Sequence, residues 1–397
     1  MNNAVRMSKL IYIVDDEPCV AEMIACLLRF VDPSWQVMEF TSPAAALEAA
    51  RKTPPHAVLS DQNMPEIPGL EFLDRFRGIA PQAVRLLISG APSDIDKISV
   101  AHQYLMKPFQ CEELERRIRL ALDAQEQLDD PHLRDLLTSI QSFPVLPKVH
   151  EDLLRELGQD DLEFEKTADL LASDAGILTK LLQVANSPMF RGRETITDSR
   201  SALLLLGTRS VRALVMSLHV FSSYETLDFS ELSVPAIWRH SLETARLAEE
   251  LARNLGRDAS HAAFFAGLMH DLGRLVLIEN HRERYRQVCQ TATREHRPLA
   301  DVEQEVFQCP HTLLSSFILQ LWGMPTEVVE AVKWHQTPWC SPRATLVTPT
   351  TALYVADILN QRRSPVAGFA IPELDLNYLA EMEVLEKWLA QDEPIRA

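Results

Sequence analysis

The hydrophobic period of this chain changes once along its length, and that change limits the fold more than any other feature. Over roughly the first 125 residues, short apolar runs alternate with segments of helical spacing. Leu10 to Val14, Val37 to Phe40, Ala57 to Leu59, Val84 to Ser89 and Gln103 to Met106 read as strands. Val20 to Phe30 (Met23, Ile24, Leu27 and Leu28 at helical spacing), Pro43 to Arg51, Leu70 to Arg77 and Cys111 to Gln127 read as helices. Strands that alternate with helices predict a doubly wound parallel sheet. From Val149 onward the period is helical almost without break. Stripes run through Val149, Leu153, Leu154 and Leu157, then Thr167 to Leu171, Ile177 to Val184 and Leu203 to Leu218, with Asp160 to Glu163 as a helix start. Glycine is scarce, at 12 in 397 residues, and no alternating strand pattern appears, so the second part is expected to be all-α. The length itself asks for two or three domains.

Composition narrows the partners. A formal net charge of −17 gives a surface that repels phosphate, and no long Lys/Arg run offsets it, so direct nucleic-acid binding is not expected. The six cysteines are scattered, with no Cys-x-x-Cys pair, which fits reduced thiols. Met1 to Lys9 is polar with no apolar signal core behind it. No stretch reaches the length of a membrane span, since Ser201 to Val220 carries Arg209, Arg212 and His219. The expectation is a cytoplasmic protein without a membrane partner.

In a doubly wound sheet the carboxyl ends of the strands meet at one edge. Asp15 and Asp16 follow the first strand, Asp61 the third, Ser89 ends the fourth and Lys107 follows the fifth. An Asp between elements is also a common helix cap, and on its own stretch Asp61 reads either way. Three clustered carboxylates repel unless a cation neutralises them, and hard oxygen donors select magnesium. A hydroxyl and an ammonium facing such a site suit phosphoryl transfer.

These residues resemble the receiver domain of bacterial response regulators, on Asp15-Asp16, Asp61 with Met64-Pro65 and Gly69, Ser89-Gly90 and Lys107-Pro108-Phe109. The resemblance implies a flavodoxin-like fold over residues 9–125, after a tail at 1–8. It also implies that Asp61 takes a phosphoryl group from a phosphohistidine of a sensor histidine kinase. Asp16, Asp61 and the Asn63 carbonyl would ligate Mg2+, with Asp15 acting through water. Lys107 would bind the phosphoryl oxygens, Ser89 would swing toward them, and Tyr104 matches the aromatic switch position. One departure is length: Gly90 to Gln103 is about one helical turn shorter than the family's usual segment, leaving Asp94 to Ser99 for a turn or two. That segment belongs to the family's dimerisation and output face, so its shortening weakens the family's usual argument for a homodimer. Cys111 to Gln127, with charge pairs Glu112→Arg116 and Glu115→Arg119, is expected to run into a linker helix at residues 126–138. A short helix from Leu133 to Ile140 comes before the junction Phe143 to Pro147.

The second half resembles the HDOD domain. The likeness rests on Phe143-Pro144-Val145-Leu146-Pro147, Ser173 to Leu182, Ala185-Asn186-Ser187-Pro188 and Ala202 to Gly207. The domain is placed at 139–345, with one lobe at 139–230 and an HD-like lobe at 236–345. Residues 346–397 form a helical extension completing the bundle, loop-like from Asn360 to Asn377 and helical from Tyr378 to Leu389. Asn186-Ser187-Pro188 reads as a helix stop whose side chains satisfy backbone groups. Beyond it, His240, His270, Asp271, His311, His335 and Asp357 lie on separate helical segments, the materials of a metal site in a helix bundle. His240, His270, Asp271 and Asp357 are similar to the motif of HD-superfamily phosphohydrolases. His311 and His335 are similar to extra histidines of the HD-GYP phosphodiesterases, whereas Gln336 and Arg274 replace a His and a Lys of that pattern. A buried His–Asp pair also satisfies itself without a metal.

Two functions follow from these resemblances. In the first, phosphorylation controls a non-catalytic HDOD module that engages downstream signalling proteins. In the second, a transition metal in the HD-like site supports regulated hydrolysis of a cyclic dinucleotide or nucleotide.

Overall fold

The computed structural model describes residues 9–90, 100–127, 130–140, 144, 164–187, 189–190, 195–365 and 369–382. The expectations for the tail at 1–8, Asp94 to Ser99, most of Phe143 to Pro147, the stripe from Val149 to Leu157, the start at Asp160 to Glu163, and Pro188 lie outside them. The chain divides into two compact units, one built on residues 1–145 and the other on residues 146–397 apart from the short segment Phe317–Gly323.

The first unit is a five-stranded sheet. Its elements are β1 (Leu10–Val14), α1 (Pro18–Val31), β2 (Gln36–Phe40), α2 (Pro43–Lys52), β3 (Ala57–Asp61), α3 (Gly69–Ile79), β4 (Val84–Ser89), β5 (Gln103–Met106), α4 (Cys111–Gln127) and α5 (Pro131–Ser139). The strand order is β2-β1-β3-β4-β5 and every pairing is parallel. β1, β3 and β4 are buried along their whole length, as strands covered on both faces must be. Tyr12, Val58, Leu87, Phe72 and Phe76 form the core, and the Tyr12 hydroxyl is satisfied by donating to the Thr53 carbonyl at 2.7 Å.

Two local expectations change. Met23 does not join the core face of α1 and is 58% exposed. The buried positions are Ala21, Ile24, Ala25 and Leu28, because small alanines let the helix sit close on the sheet. On α4 the pair Glu112→Arg116 gives way to Glu113, whose carboxylate takes both Arg116 and Arg117, while Arg119 pairs with Glu115 at 2.9 Å. α5 starts where Asp130 accepts from the amides of His132 and Leu133.

In the second unit every element among the described residues is helical: α6 (Phe164–Ser173), α7 (Ala175–Ala185), α8 (Ser199–Leu206), α9 (Thr208–Ser223), α10 (Val234–Leu251), α11 (Arg257–Met269), α12 (Leu272–Asn280), α13 (Arg282–Glu295), α14 (Leu299–Phe307), α15 (His311–Leu321), α16 (Thr326–Trp334), α17 (Pro349–Arg363) and α18 (Leu376–Glu381). The apolar stripe from Leu203 to Leu218 is two helices, α8 and α9, bent by 113°. Gly207, at φ +78°, makes that bend, in a conformation open to glycine and costly to other residues. Asn186 closes α7 and ties its end to the following strand of chain, donating to the Leu182 and Ile196 carbonyls and accepting from the Ile196 amide.

α17 runs on through Asn360 to Arg363, so the loop expected from Asn360 starts later. It is buried on all sides from Pro349 to Asn360, and packs against α10, α11 and α16. The last helix begins at Leu376 rather than Tyr378, with Asp375 capping it by accepting from the Tyr378 amide. The expectation that no stretch reaches the length of a membrane span is also corrected. α11 and α12 together, Arg257–Asn280, are 24 residues and contain an 18-residue window of mean hydropathy 1.2, 89% of which is buried inside the protein. This is a core helix pair, broken in the middle by His270 and Asp271.

Candidate functional site

The receiver-like edge is assembled by sheet register. Val14 pairs with Ser60 and Asp61 with Ile88, while Ser89 pairs with Met106. The residues just beyond these positions therefore share one edge. Asp15 and Asp61 are 2% and 5% exposed. Oδ1 of Asp61 lies 2.5 Å from Nζ of Lys107, which also reaches Oδ2 of Asp15 at 3.3 Å. Oδ2 of Asp61 accepts from the Asn63 amide at 2.6 Å, and Oδ1 of Asp15 from the Glu17 amide at 3.0 Å. Burial raises the Asp15 carboxyl above its ordinary value, against the Glu17 amide and Lys107, which lower it. Burial opposes the Lys107 charge, but Asp61 and Asp15 outweigh it and hold the ammonium above its ordinary value.

Asp16 is half-buried beside them, Ser89 is buried at the end of β4, and Tyr104 is buried in the core along β5. Among these residues, Asp15, Asp61 and Lys107 are brought into direct contact. The donor set of three carboxylates and the Asn63 carbonyl is hard oxygen, and one lysine does not balance three carboxylates. The residues present therefore fit a magnesium ion.

The HD-like residues also converge, and they do so around a break in a helix. His270 and Asp271 sit between α11 and α12. His240 comes from α10, His311 opens α15, His335 follows α16, and Asp357 lies within α17. All six are buried. Nε2 of His240 is 2.9 Å from Oδ1 of Asp357 and 3.3 Å from Nε2 of His270. Oδ1 of Asp271 is 3.4 Å from Nε2 of His270 and 3.3 Å from Nε2 of His311. Ligand atoms of His240, His270 and Asp357 all lie within 4.8 Å of one another.

Glycine 273 allows this meeting. A Cβ there would lie 2.2 Å from the His311 carbonyl oxygen. Its amide donates to Ser315 Oγ, which donates in turn to the His270 carbonyl, at 2.7 and 2.9 Å.

Tautomers follow from the neighbours. Nδ1 of His270 lies 2.8 Å from the Gly267 carbonyl and Nδ1 of His335 lies 2.8 Å from the Val332 carbonyl. A carbonyl only accepts, so both Nδ1 atoms carry the proton and both Nε2 lone pairs face the cluster. Nε2 of His335 and Oδ1 of Asp271 are buried with no hydrogen-bond partner. Buried orphans of this kind need a reason, and two aimed into one cluster fit a metal ion. Burial takes the His335 imidazole down to about 3 and lowers His270, while Asp357 and Asp271 outweigh burial at His240 and raise it.

Behind the histidines lies a charged layer that sequence spacing announces only at Arg274. Arg274 donates through Nη1 to Oδ2 of Asp271 at 2.8 Å and through Nε to Oε1 of Glu303 at 3.0 Å. Glu303 also receives the Tyr285 hydroxyl and pairs with Nδ1 of His311. Burial works against the Glu303 charge, yet His311 and Arg274 hold its carboxyl down at about 2. Asn360 donates to the His240 carbonyl at 3.0 Å and to Thr244 Oγ1 at 2.9 Å. Arg274 stands three residues after Asp271, a spacing that offers a helical ion pair. Glu303 and Asn360 carried no such signal.

A cavity of about 430 Å³ opens over the cluster. His240, Asp271, His335 and Asp357 line it together with the amides of Gln304, Gln336 and Gln361. Gln336 lies 3.5 Å from Nε2 of His311.

With both sites in view, the family comparisons divide the chain the same way. The response regulator receiver domain matches residues 11–119 and the HDOD domain matches residues 143–338. The chain carries a receiver domain followed by an HDOD domain. An HDOD domain protein of unknown function from Geobacter sulfurreducens is 19% identical with a TM-score of 0.54, over 66% of this chain and 88% of that one. A protein from Marinobacter aquaeolei is 18% identical with a TM-score of 0.53, over 86% of this chain and 76% of that one. These likenesses concern the fold. The hydrogenase transcriptional regulatory protein HoxA of Cupriavidus necator is 32% identical over 131 residues, 32% of this chain and 27% of that protein. This chain spans less than half the length of the curated relatives it matches first, 38%, 49% and 27%.

Proposed function

We propose that this receiver–HDOD protein is a two-component response regulator. A carboxylate oxygen of Asp61 attacks the phosphorus of a phosphohistidine on a sensor histidine kinase. The P–N bond breaks and the imidazole keeps the electron pair. The observation that carries this reading is the single ammonium of Lys107 bonded to both Asp61 and Asp15 at the sheet edge. Lys107 would move from carboxylate to phosphoryl oxygen as negative charge is added. Ser89 would supply a hydroxyl to the same group, and Tyr104 would be the element whose position answers it. Asp15, Asp16, Asp61 and the Asn63 carbonyl would hold Mg2+, which when bound neutralises the charge gathered at the phosphoryl group.

The HDOD domain is then a signalling module that engages downstream proteins, in a soluble cytoplasmic protein whose net charge of −17 disfavours nucleic acid. Affinity capture with protein treated with a small phosphodonor, beside Asp61→Asn treated alike, tests this. A partner set that changes with treatment in the wild type alone is expected, and identical sets in the two would contradict it.

A second reading has an observation of its own. The orphaned Nε2 of His335 and Oδ1 of Asp271 support a metal-bearing HD-like site that hydrolyses a nucleotide or cyclic dinucleotide in the cavity above it. His240, His270 and Asp357 would hold the metal, which would acidify a water for attack on phosphorus. Bound transition metal together with phosphodiester turnover, both lost in His270→Ala, would favour it over a non-catalytic module.

A further inference from the structure

The charges around the HD-like cluster are unevenly matched. Three carboxylates, Asp271, Asp357 and Glu303, are buried within it, and Arg274 is the fixed cation that contacts two of them. With the imidazoles neutral, as metal ligands are, two negative charges are left over, which one divalent ion balances and a second would overfill. Geometry points the same way. His240, His270 and Asp357 offer ligand atoms in one group, with the unpartnered Nε2 of His335 and Oδ1 of Asp271 facing it. The remaining donors are those that the Arg274 layer holds, although Nε2 of His311 reaches Oδ1 of Asp271 at 3.3 Å. They are Oδ2 of Asp271, the Glu303 carboxylate and His311, and all three are engaged: Oδ2 and Glu303 by Arg274, and Nδ1 of His311 by Glu303. A guanidinium is planar, always charged and spans two carboxylates, as a bridging ion does.

We propose that Arg274 stands in the place of a second cation, so that this site takes one divalent metal ion and no second. The proposal rests on the metal-binding reading of the cluster, but its test separates the two. A buried guanidinium bonded to two carboxylates cannot leave without exposing both to an unbalanced interior, so metal stoichiometry is fixed by the chain itself. Replacing Arg274 with a neutral side chain removes the guanidinium from Asp271 Oδ2 and from Glu303, which Tyr285 and His311 still hold, and opens a second set of oxygen donors beside His311.

The experiment loads the full chain with Mn2+, removes unbound ion by gel filtration and counts bound manganese by elemental analysis. His270→Ala supplies the background from the receiver domain. Above that background, the expected counts are one ion in the wild type and two in Arg274→Gln, with an exchange-coupled manganese pair in the electron paramagnetic resonance spectrum of the variant alone. Two ions in the wild type, or no gain in a folded Arg274→Gln, overturn the proposal. No ion in the wild type with one gained in Arg274→Gln refutes the metal reading of the native cluster and leaves the role of Arg274 standing. Should Arg274→Gln not fold, Arg274→Lys decides. One ion upholds the proposal, because the charge is kept, and two overturn it.

Discussion

Nζ of Lys107 lies 2.5 Å from Oδ1 of Asp61 and 3.3 Å from Oδ2 of Asp15, so one ammonium holds two carboxylates at the ends of different strands. Removing it leaves two negative groups facing each other in a mostly buried edge. In Lys107→Met the Asp15 carboxyl should move further above its ordinary value, because Lys107 is among the groups that now lower it. Phosphoryl uptake from a small phosphodonor should slow by about a hundredfold, the usual size of losing one charged donor at a reacting group. Carbon-detected titration of the Asp side chains and a labelling time course check the two parts. An unchanged rate would remove Lys107 from the reaction.

Gly273→Ala should damage the HD-like cluster more than the fold. The added Cβ would sit 2.2 Å from the His311 carbonyl oxygen, so α15 must shift away from the His270–Asp271 break. Overpacking of this kind costs about 1–3 kcal/mol. The expected result is a folded, less stable protein with weakened binding of added manganese. Wild-type manganese affinity would contradict the packing argument.

Acid should lower the stability of the helical domain over two overlapping pH intervals. Burial keeps the His335 imidazole neutral, with its value down at about 3 against an ordinary 6.5. The unfolded chain therefore takes up a proton first, and stability falls as pH drops from about 6.5 towards 3. Glu303 is held at about 2 against an ordinary 4.5, so its contribution is full above 4.5 and is lost as pH falls towards 2. Urea midpoints measured against pH in a chelator should decline more gently in His335→Leu over the first interval. In Glu303→Gln they should decline more gently over the second. Parallel slopes in all three proteins would contradict these assignments.

Asn360→Leu leaves the buried His240 carbonyl and Thr244 hydroxyl without the amide that serves both. A loss of about 1–3 kcal/mol is expected by urea denaturation. A neutral substitution would mean that water or a rearranged neighbour replaces the amide.

Much of this was readable from residue order, because strand ends in a parallel sheet are forced to one edge. Asp15, Asp61, Ser89 and Lys107 each follow or end an apolar run, and register does the rest. The six HD-like residues were legible for a related reason, since each marks a helix end or an inward helical position. What escaped was set by tertiary packing. Met23 carries the right spacing for a core position, yet α1 turns its alanines inward. The apolar stripe at Leu203 to Leu218 hid a bend at Gly207, because periodicity does not register a change of direction. Glu303 looks like any polar residue of α14, and only the arrival of Arg274, Tyr285 and His311 from three other segments makes it a buried ion.

The central claim is that Asp61 accepts a phosphoryl group. Intact-protein mass spectrometry after incubation with acetyl phosphate and magnesium tests it most directly, on the wild type and on Asp61→Asn in parallel. The account predicts the mass of one added phosphoryl group on the wild type, reversed by hydroxylamine, and none on Asp61→Asn. An unmodified wild type, or equal labelling of the variant, would contradict it.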